Sequence, residues 1–417
     1  MTPSKIDTVI IGAGHAGLCM SYNLQQKNRN HVVLEMHVPL YQWKNHRWDS
    51  FKLNTPLKYS RISGQHDGQP DDRKSIPLIE NIEMWEKTIH QYNFPIKEYC
   101  EVTAVYKNKD GTFLVRFKEN GKVETSYIAR NVIAACGFYQ NIKIPDFSKN
   151  LSSNILQFDV KNYKNPAQTK GSILVVGSGQ SGIQIAEELA VSGKKVYLAT
   201  SAVGGIIRSY RGEDAFFWLD RIHMLNLPTS ALPRKEMRYD KNAFTGNDHP
   251  ISYYSLFQLG VSLMGGLTHI DANGEDVIFK NNLQKNIAIA QQKYDVLLER
   301  IETWIQEEGN PEYYLPPTQE LEWVPNKLLL EYKPPTKLHL AENNIQTIIW
   351  TTGWTADFSW IKIPAIIADL GTKNLPERCV SPVPGFYWLG FPWLRTLSSA
   401  NVGGFDEDAK AIAKLLL

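Results

Sequence analysis

Two copies of one arrangement, a strand, a glycine turn and a helix, set most of what this chain can fold into. In the first, Thr8-Val9-Ile10-Ile11 runs into Gly12-Ala13-Gly14-His15-Ala16-Gly17, then a helix-like stretch from Leu18 to Gln26. In the second, Ile173-Leu174-Val175-Val176 runs into Gly177-Ser178-Gly179-Gln180-Ser181-Gly182, followed by Ile183 to Val191. Each glycine has its own duty. The first makes the tight turn, the second lets the backbone approach a pyrophosphate, and the third lets helix and strand pack closely. The helix N-terminus then offers unpaired N–H groups to the phosphates. One such hexapeptide is a weak signal, but two in the right strand-to-helix context are not chance. Two dinucleotides on one chain imply a flavin that is reduced by a nicotinamide.

A chain of 417 residues fits two or three domains. With 43% hydrophobic and 21% charged residues it is globular, which excludes disordered and fibrous classes. A net charge of +2 gives no long-range field, so neither nucleic acid nor an anionic membrane surface is implied as a partner. The four cysteines, Cys19, Cys100, Cys136 and Cys379, form no Cys-x-x-Cys pair. That spacing supports neither a disulfide framework nor a zinc site, so no metal is expected and a reduced, cytoplasmic setting is the default. The N-terminus enters a strand almost at once, unlike a secretory signal, and no apolar run is long enough for a spanning helix. A soluble protein is expected, with self-association left open.

Val32-Val33-Leu34-Glu35 reads as the next strand of the first unit. Glu35 lies about twenty residues beyond the glycines, where an acid accepts hydrogen bonds from a ribose hydroxyl. Three hairpin strands are expected over Glu101–Tyr106, Thr112–Phe117 and Lys122–Tyr127, around Asp110-Gly111 and Asn120-Gly121 turns. Asn131 to Ala135 reads as another buried strand, closing at Cys136-Gly137. The second unit continues through Lys195–Thr200, and an aromatic-rich, partly helical segment occupies about 212–270, with one helix near Tyr253 to Leu263. Thr347 to Gly353 resembles the strand ending at Gly137, and Asp408 to Leu417 is an amphipathic helix. The fold class expected is α/β, with two doubly wound Rossmann-like domains. Residues 1–154 and 336–417 would form a discontinuous FAD-binding domain, and 155–335 an inserted NADPH-binding domain.

Glu35 argues for an adenosine with a free 2′-hydroxyl in the first unit, as in FAD. The second unit has Ser201 at the equivalent place, with Arg208 and Arg211 downstream. A missing acid with arginine nearby is the pattern for a 2′-phosphate, hence NADPH. One such charge-assisted bond contributes about 1.5–3 kcal/mol.

At these residues the chain resembles the class B flavoprotein monooxygenases, the flavin-containing and N-hydroxylating group. The resemblance extends over nearly the whole length. It rests on both glycine turns, on Arg47-Trp48-Asp49-Ser50-Phe51-Lys52-Leu53-Asn54-Thr55-Pro56, on the strand ends at Gly137 and Gly353, and on Pro384–Gly390 and Gly403–Ala409. It implies a glutathione-reductase-like arrangement of the two domains and the cofactors FAD and NADPH. Such enzymes trap oxygen as a flavin C4a-hydroperoxide and pass one atom to a substrate. Carried over, it places the FAD pyrophosphate at Gly12, Ala13, Gly14, Ala16 and Gly17, the ribose at Glu35 and the adenine near Val102. Trp43, Arg47, Trp48, Asn54 and Thr55 would lie along the flavin, with Asn54 as the catalytic candidate beside the hydroperoxide. Gly177, Ser178, Gly179, Gln180, Ser181 and Gly182 would hold NADPH. The group's linker fingerprint is incomplete: Tyr163 and Pro166 fit its end, but Asp159 replaces its histidine, and Ser153 and Ile155 its phenylalanine and glycine. This tells against a Baeyer–Villiger assignment.

The expected reaction is oxygen insertion from O2 into a small, apolar or aromatic molecule. The cofactor carries the hard chemistry, so no catalytic triad is sought; the protein must supply a dry pocket. Trp218, Phe217, Tyr253, Tyr254 and Trp393 are candidate lining residues, and His249 a candidate polar group. The rival classes are an NAD(P)H oxidase or quinone reductase without oxygen insertion, a halogenase, and a non-catalytic nucleotide sensor.

Overall fold

The structure is a computed structural model that describes residues 3–65, 75–232, 243–310, 312, 314–317, 320–371 and 374–416. Its centre is a pair of largely parallel sheets, one for each glycine turn. In the first, the strand Ser4–Ile11 lies between His31–Leu34 and Val123–Ala134, parallel to both. Ile96–Lys97 extends one edge, and the hairpin strands Cys100–Lys107 and Phe113–Glu119 extend the other. Val9, Ile10 and Val33 are fully buried, as parallel strands covered on both faces require.

The expected strands over 122–127 and 131–135 are one. Val123–Ala134 runs twelve residues without a break. Its first half pairs antiparallel with Phe113–Glu119. From Val132 that edge passes to Phe386–Trp388, which pairs parallel to it. The C-terminal helix Phe405–Ala413 completes the return, its Asp406 accepting from Asn23 on the first glycine-turn helix at 3.0 Å.

The second sheet has the order Ser262–Met264, Val196–Ala199, Ser172–Val176, Ile345–Trp350, Leu156–Asp159, all parallel. This corrects the boundary expected at 335/336. Ile345–Trp350 and Lys337–His339 belong with the inserted unit, the latter in a small antiparallel sheet with Asp276–Phe279. The physical reason is that each unit carries its own strand ending in a glycine turn. The likeness between the Gly137 and Gly353 segments marks equivalence, not continuity. The chain leaves and re-enters the first unit through Asn141–Ile142 and Trp354–Thr355, paired antiparallel, so the inserted unit runs between these segments.

The aromatic-rich segment supplies the helices Ala215–Arg221 and Tyr253–Gln258; residues 233–242 of it lie outside the described residues. The second helix ends before Gly260, whose φ of 86° breaks it. The long helix Leu283–Glu307, unassigned in the sequence, buries Ile287, Ala290, Tyr294, Leu297, Ile301 and Ile305 on one stripe. Among the described residues no helix is long and apolar enough to cross a membrane.

Candidate cofactor and active site

The two glycine turns have the same local physics. Gly12 and Gly177 adopt φ of 104° and 103°, which only glycine holds easily. A Cβ on Gly12 would stand 2.7 Å from Ala135 O, and one on Gly177 2.6 Å from Thr351 O. The third glycines are blocked by the turns themselves. A Cβ on Gly17 would lie 1.9 Å from Gly12 O, and on Gly182 2.0 Å from Gly177 O. The middle glycines differ: Gly14 and Gly179 have nothing within 4 Å of such a Cβ. Their lack of a side chain is therefore not demanded by the protein's own packing. It leaves room for a ligand at a helix N-terminus, as FAD and NADPH would need. Gly137 and Gly353, which end the crossing strands, also face open space.

Around the first turn the expected cofactor residues converge. Glu35 accepts from Ala13 N at 2.7 Å and from His37 N at 2.9 Å, while burial pushes its carboxyl above the usual range. Cys100 N donates to Glu35 O at 2.7 Å, which brings the strand carrying Val102 beside it. Ala16 is buried under Gly390, from the returning C-terminal segment. His15 is buried too, with Nε2 3.1 Å from Ser60 O and its ring edge-on to Trp85; burial pulls it down to about 4.

Around the second turn, Ser178 N donates to Ser201 Oγ at 3.3 Å and Ser201 N returns to Ser178 Oγ at 2.8 Å. Ser201 therefore bonds the residue after the first glycine, just as Glu35 does, but with a neutral hydroxyl. Gln180 exchanges two bonds with the Thr245 backbone at 2.6 and 3.0 Å, anchoring the helix start next to the half-buried Ser181.

The two arginines expected at a 2′-phosphate are engaged elsewhere. Arg208 is 4% exposed and ion-paired with Asp214, and it donates to Asn54 O at 3.0 Å and Gly246 O at 3.3 Å. Arg211 forms a two-pronged pair with Glu302, at 2.7 and 2.9 Å, and donates to Leu315 O at 3.1 Å. Both guanidiniums are engaged by internal acceptors, a use that sequence spacing does not distinguish from phosphate binding.

The segment from Trp43 to Thr55 is a strap between the units. Trp43 packs on Trp85 in the first core, and Arg47 lies over the Trp43 and Phe51 rings at 4.9 and 5.3 Å. Trp48 is instead buried in the second unit's core with Val160 and Tyr163. Asp49 N donates to Lys164 O at 2.8 Å, Ser50 Oγ to Glu188 at 2.6 Å, and Lys52 pairs with Asp248 at 2.5 Å. Asn54 accepts from Gln184 on the second glycine-turn helix at 3.0 Å, and Thr55 next to it is buried. Sequence reasoning missed Gln184, whose place one turn beyond Gln180 faces the strap.

The candidate pocket lining is mostly core: Trp218, Tyr253, Tyr254 and Trp393 are buried, and Trp218 Nε1 is satisfied by Tyr210 O at 2.7 Å. His249 is on the surface between Glu187 and Asp248, at 3.0 and 2.9 Å, and the bond to Glu187 above all raises it to about 9.

Residues 9–205 match the pyridine nucleotide-disulphide oxidoreductase family. The oxidoreductase CzcO-like of Geobacillus kaustophilus is 28% identical, covering 99% of this chain and 98% of its own. Among solved structures, the flavin-containing monooxygenase from Stenotrophomonas maltophilia superposes with a TM-score of 0.65 at 16% identity, covering 99% of this chain and 98% of that one. The OTEMO complex with FAD and NADP gives 0.59 at 15% identity, covering 100% of this chain and 84% of that one. In fold the chain follows the two-unit plan of these solved flavin monooxygenases, and over residues 9–205 it is similar to the pyridine nucleotide-disulphide oxidoreductases.

Proposed function

We propose that the chain is an FAD-dependent monooxygenase that consumes NADPH and transfers one oxygen atom from O2 to a small apolar or aromatic molecule. The balance is substrate + O2 + NADPH + H⁺ → oxygenated substrate + H2O + NADP⁺. The observation that carries this is the doubled cradle: Gly14 and Gly179 both open onto free space while the flanking glycines are closed by the backbone. The first unit would hold FAD through Gly12–Gly17, Glu35 and the strand of Val102, and the second would hold NADPH through Gly177–Gly182 and Ser201. Bound FAD supplies hydride acceptance from NADPH and the reaction with O2. The strap of Trp43, Arg47, Trp48, Asn54 and Thr55 would position the two cofactors by joining both units. We place the enzyme in the cytoplasm.

Thiol chemistry of the kind the family name suggests has no support at this site. Cys19 and Cys136 are free, and burial raises both thiols to about 12, far from a reactive thiolate. The test is to purify the protein, bleach its flavin with NADPH without oxygen, and then supply ¹⁸O2 with candidate substrates. Label in an organic product supports the reading. Quantitative peroxide with no labelled product across the substrates would replace it with an oxidase or quinone reductase.

A further inference from the structure

Arg47, Lys161, Lys164 and His46 meet where the two units join. Among the described residues, none of the three fixed cations forms an ion pair. Their donors go to backbone carbonyls. Arg47 Nη1 donates to His46 O at 2.8 Å, Lys161 Nζ to Gln140 O at 2.7 Å, and Lys164 Nζ to Asn45 O and Arg47 O at 2.6 and 2.9 Å. A carbonyl offers only a partial charge, so the positive charge is held in place without being neutralised. Asp159 and Asp49, close by, are both occupied. Asp159 caps its own turn, accepting from Lys161 N and Asn162 N at 2.8 and 3.0 Å. Asp49 accepts from Asn165 Nδ2 at 2.7 Å. Arg47, Lys161 and Lys164 are half-buried, where a missing counter-charge costs more than at an open surface.

Aromatic rings surround this cluster. Tyr139 is 46% exposed, and burial raises its phenol while the Arg47 charge pulls it back. Arg47 is likewise drawn down to about 10 by burial while only half covered. Tyr139 follows Gly137, and its ring meets Trp354, just after Gly353, edge-on at 5.5 Å. Both glycines face open space. Trp43 and Phe51 lie under the Arg47 guanidinium.

Sheet order separates this cluster from the nicotinamide nucleotide's 2′-phosphate. Ser201 follows the strand Val196–Ala199, whereas Lys161 and Lys164 follow Leu156–Asp159, the edge strand three places away. Three strand steps of about 4.8 Å put them roughly 14 Å apart across the sheet.

We infer that this junction is the receptor for the carboxylate of an aromatic organic acid, held by Arg47 with Lys161 while its ring rests against Tyr139 and Trp354. The inference rests on the monooxygenase reading above and names its substrate class. A planar guanidinium fits a carboxylate with two parallel bonds, which a lysine cannot reproduce.

The test titrates the flavin-loaded enzyme with phenylacetate and with its neutral isostere phenylacetamide, by calorimetry and by flavin difference absorbance. Phenylacetate is expected to bind about ten-fold tighter or better than the amide. Arg47→Gln should erase that preference, Arg47→Lys restore part of it, and Lys161→Gln reduce it. Three results overturn the inference: equal affinity for acid and amide, no binding of the acid at millimolar concentration, or an unchanged preference in Arg47→Gln. Loss of FAD from Arg47→Gln with the preference intact assigns Arg47 to the cofactor's phosphates and also overturns it. Failure of the broader reading is separate, as wild-type protein without flavin or unbleached by NADPH, and calorimetry on that protein still decides acid recognition.

Discussion

Gln184 donates to the side chain of Asn54 at 3.0 Å, across the boundary between the two units. Asn54 is also held through its carbonyl by Arg208, so both ends of this residue are fixed by the nicotinamide-side unit. Asn54→Ala is expected to raise NADPH oxidation and peroxide release in the absence of substrate. One lost hydrogen bond of about 1.4 kcal/mol gives a change on the order of ten-fold. Gln184→Ala should move the same ratio in the same direction, measured as peroxide formed per NADPH. An unchanged ratio in both would return Asn54 to a purely structural role.

The open space before Gly14 separates folding from binding. Gly14→Val should give folded protein that is colourless, because a Cβ there meets no protein atom within 4 Å and the side chain fills the place of the pyrophosphate. Gly17→Val should fail to accumulate, because its Cβ would collide with Gly12 O. Circular dichroism and flavin absorbance of the two variants distinguish these outcomes.

Ser201 is the counterpart of Glu35 by hydrogen bonding. Ser201→Glu is expected to weaken NADPH by about ten-fold or more relative to NADH, since a carboxylate repels a 2′-phosphate and accepts from a 2′-hydroxyl. The ratio of kcat/KM for the two coenzymes checks it. Arg208→Ala, by contrast, should alter stability more than coenzyme choice.

The Arg208–Asp214 pair is buried, and burial holds the Asp214 carboxyl above its usual range even beside the guanidinium. Asp214→Ala leaves Arg208 uncompensated and should cost about 3–5 kcal/mol. Asp214→Asn should cost less, as read from denaturant midpoints.

His15 titrates at about 4 in the fold against 6.5 as a free side chain. As pH falls below 6.5 the unfolded chain takes the proton first, so stability drops between pH 6.5 and 4 and then levels. The displacement corresponds to about 3 kcal/mol. His15→Gln lacks this loss, so wild type should lose about that much more stability than the variant between pH 7.5 and 4. Urea unfolding at both pH values measures the difference.

What was legible in the sequence follows from range. The glycine turns, Glu35 and Ser201 are set by spacing within one strand-turn-helix unit, and the fold places each where local chemistry puts it. Arg208 and Arg211 lie beyond that range because their partners are set by tertiary packing: Glu302 stands 91 positions from Arg211, and the Asn54 carbonyl 154 from Arg208. The unit boundary near 336 failed for a related reason. Two strands of equal pattern look like one sheet resumed until their pairing is known. Trp48 shows the same limit, since nothing local says that an aromatic residue of the first unit fills the core of the second.

Phe386–Trp388 takes the edge of Val123–Ala134 that the hairpin vacates. A ribosome therefore releases the whole inserted unit before the sheet around Gly12 can be closed. Until the segment around Phe386–Trp388 has emerged, the first unit's sheet keeps one edge unpaired.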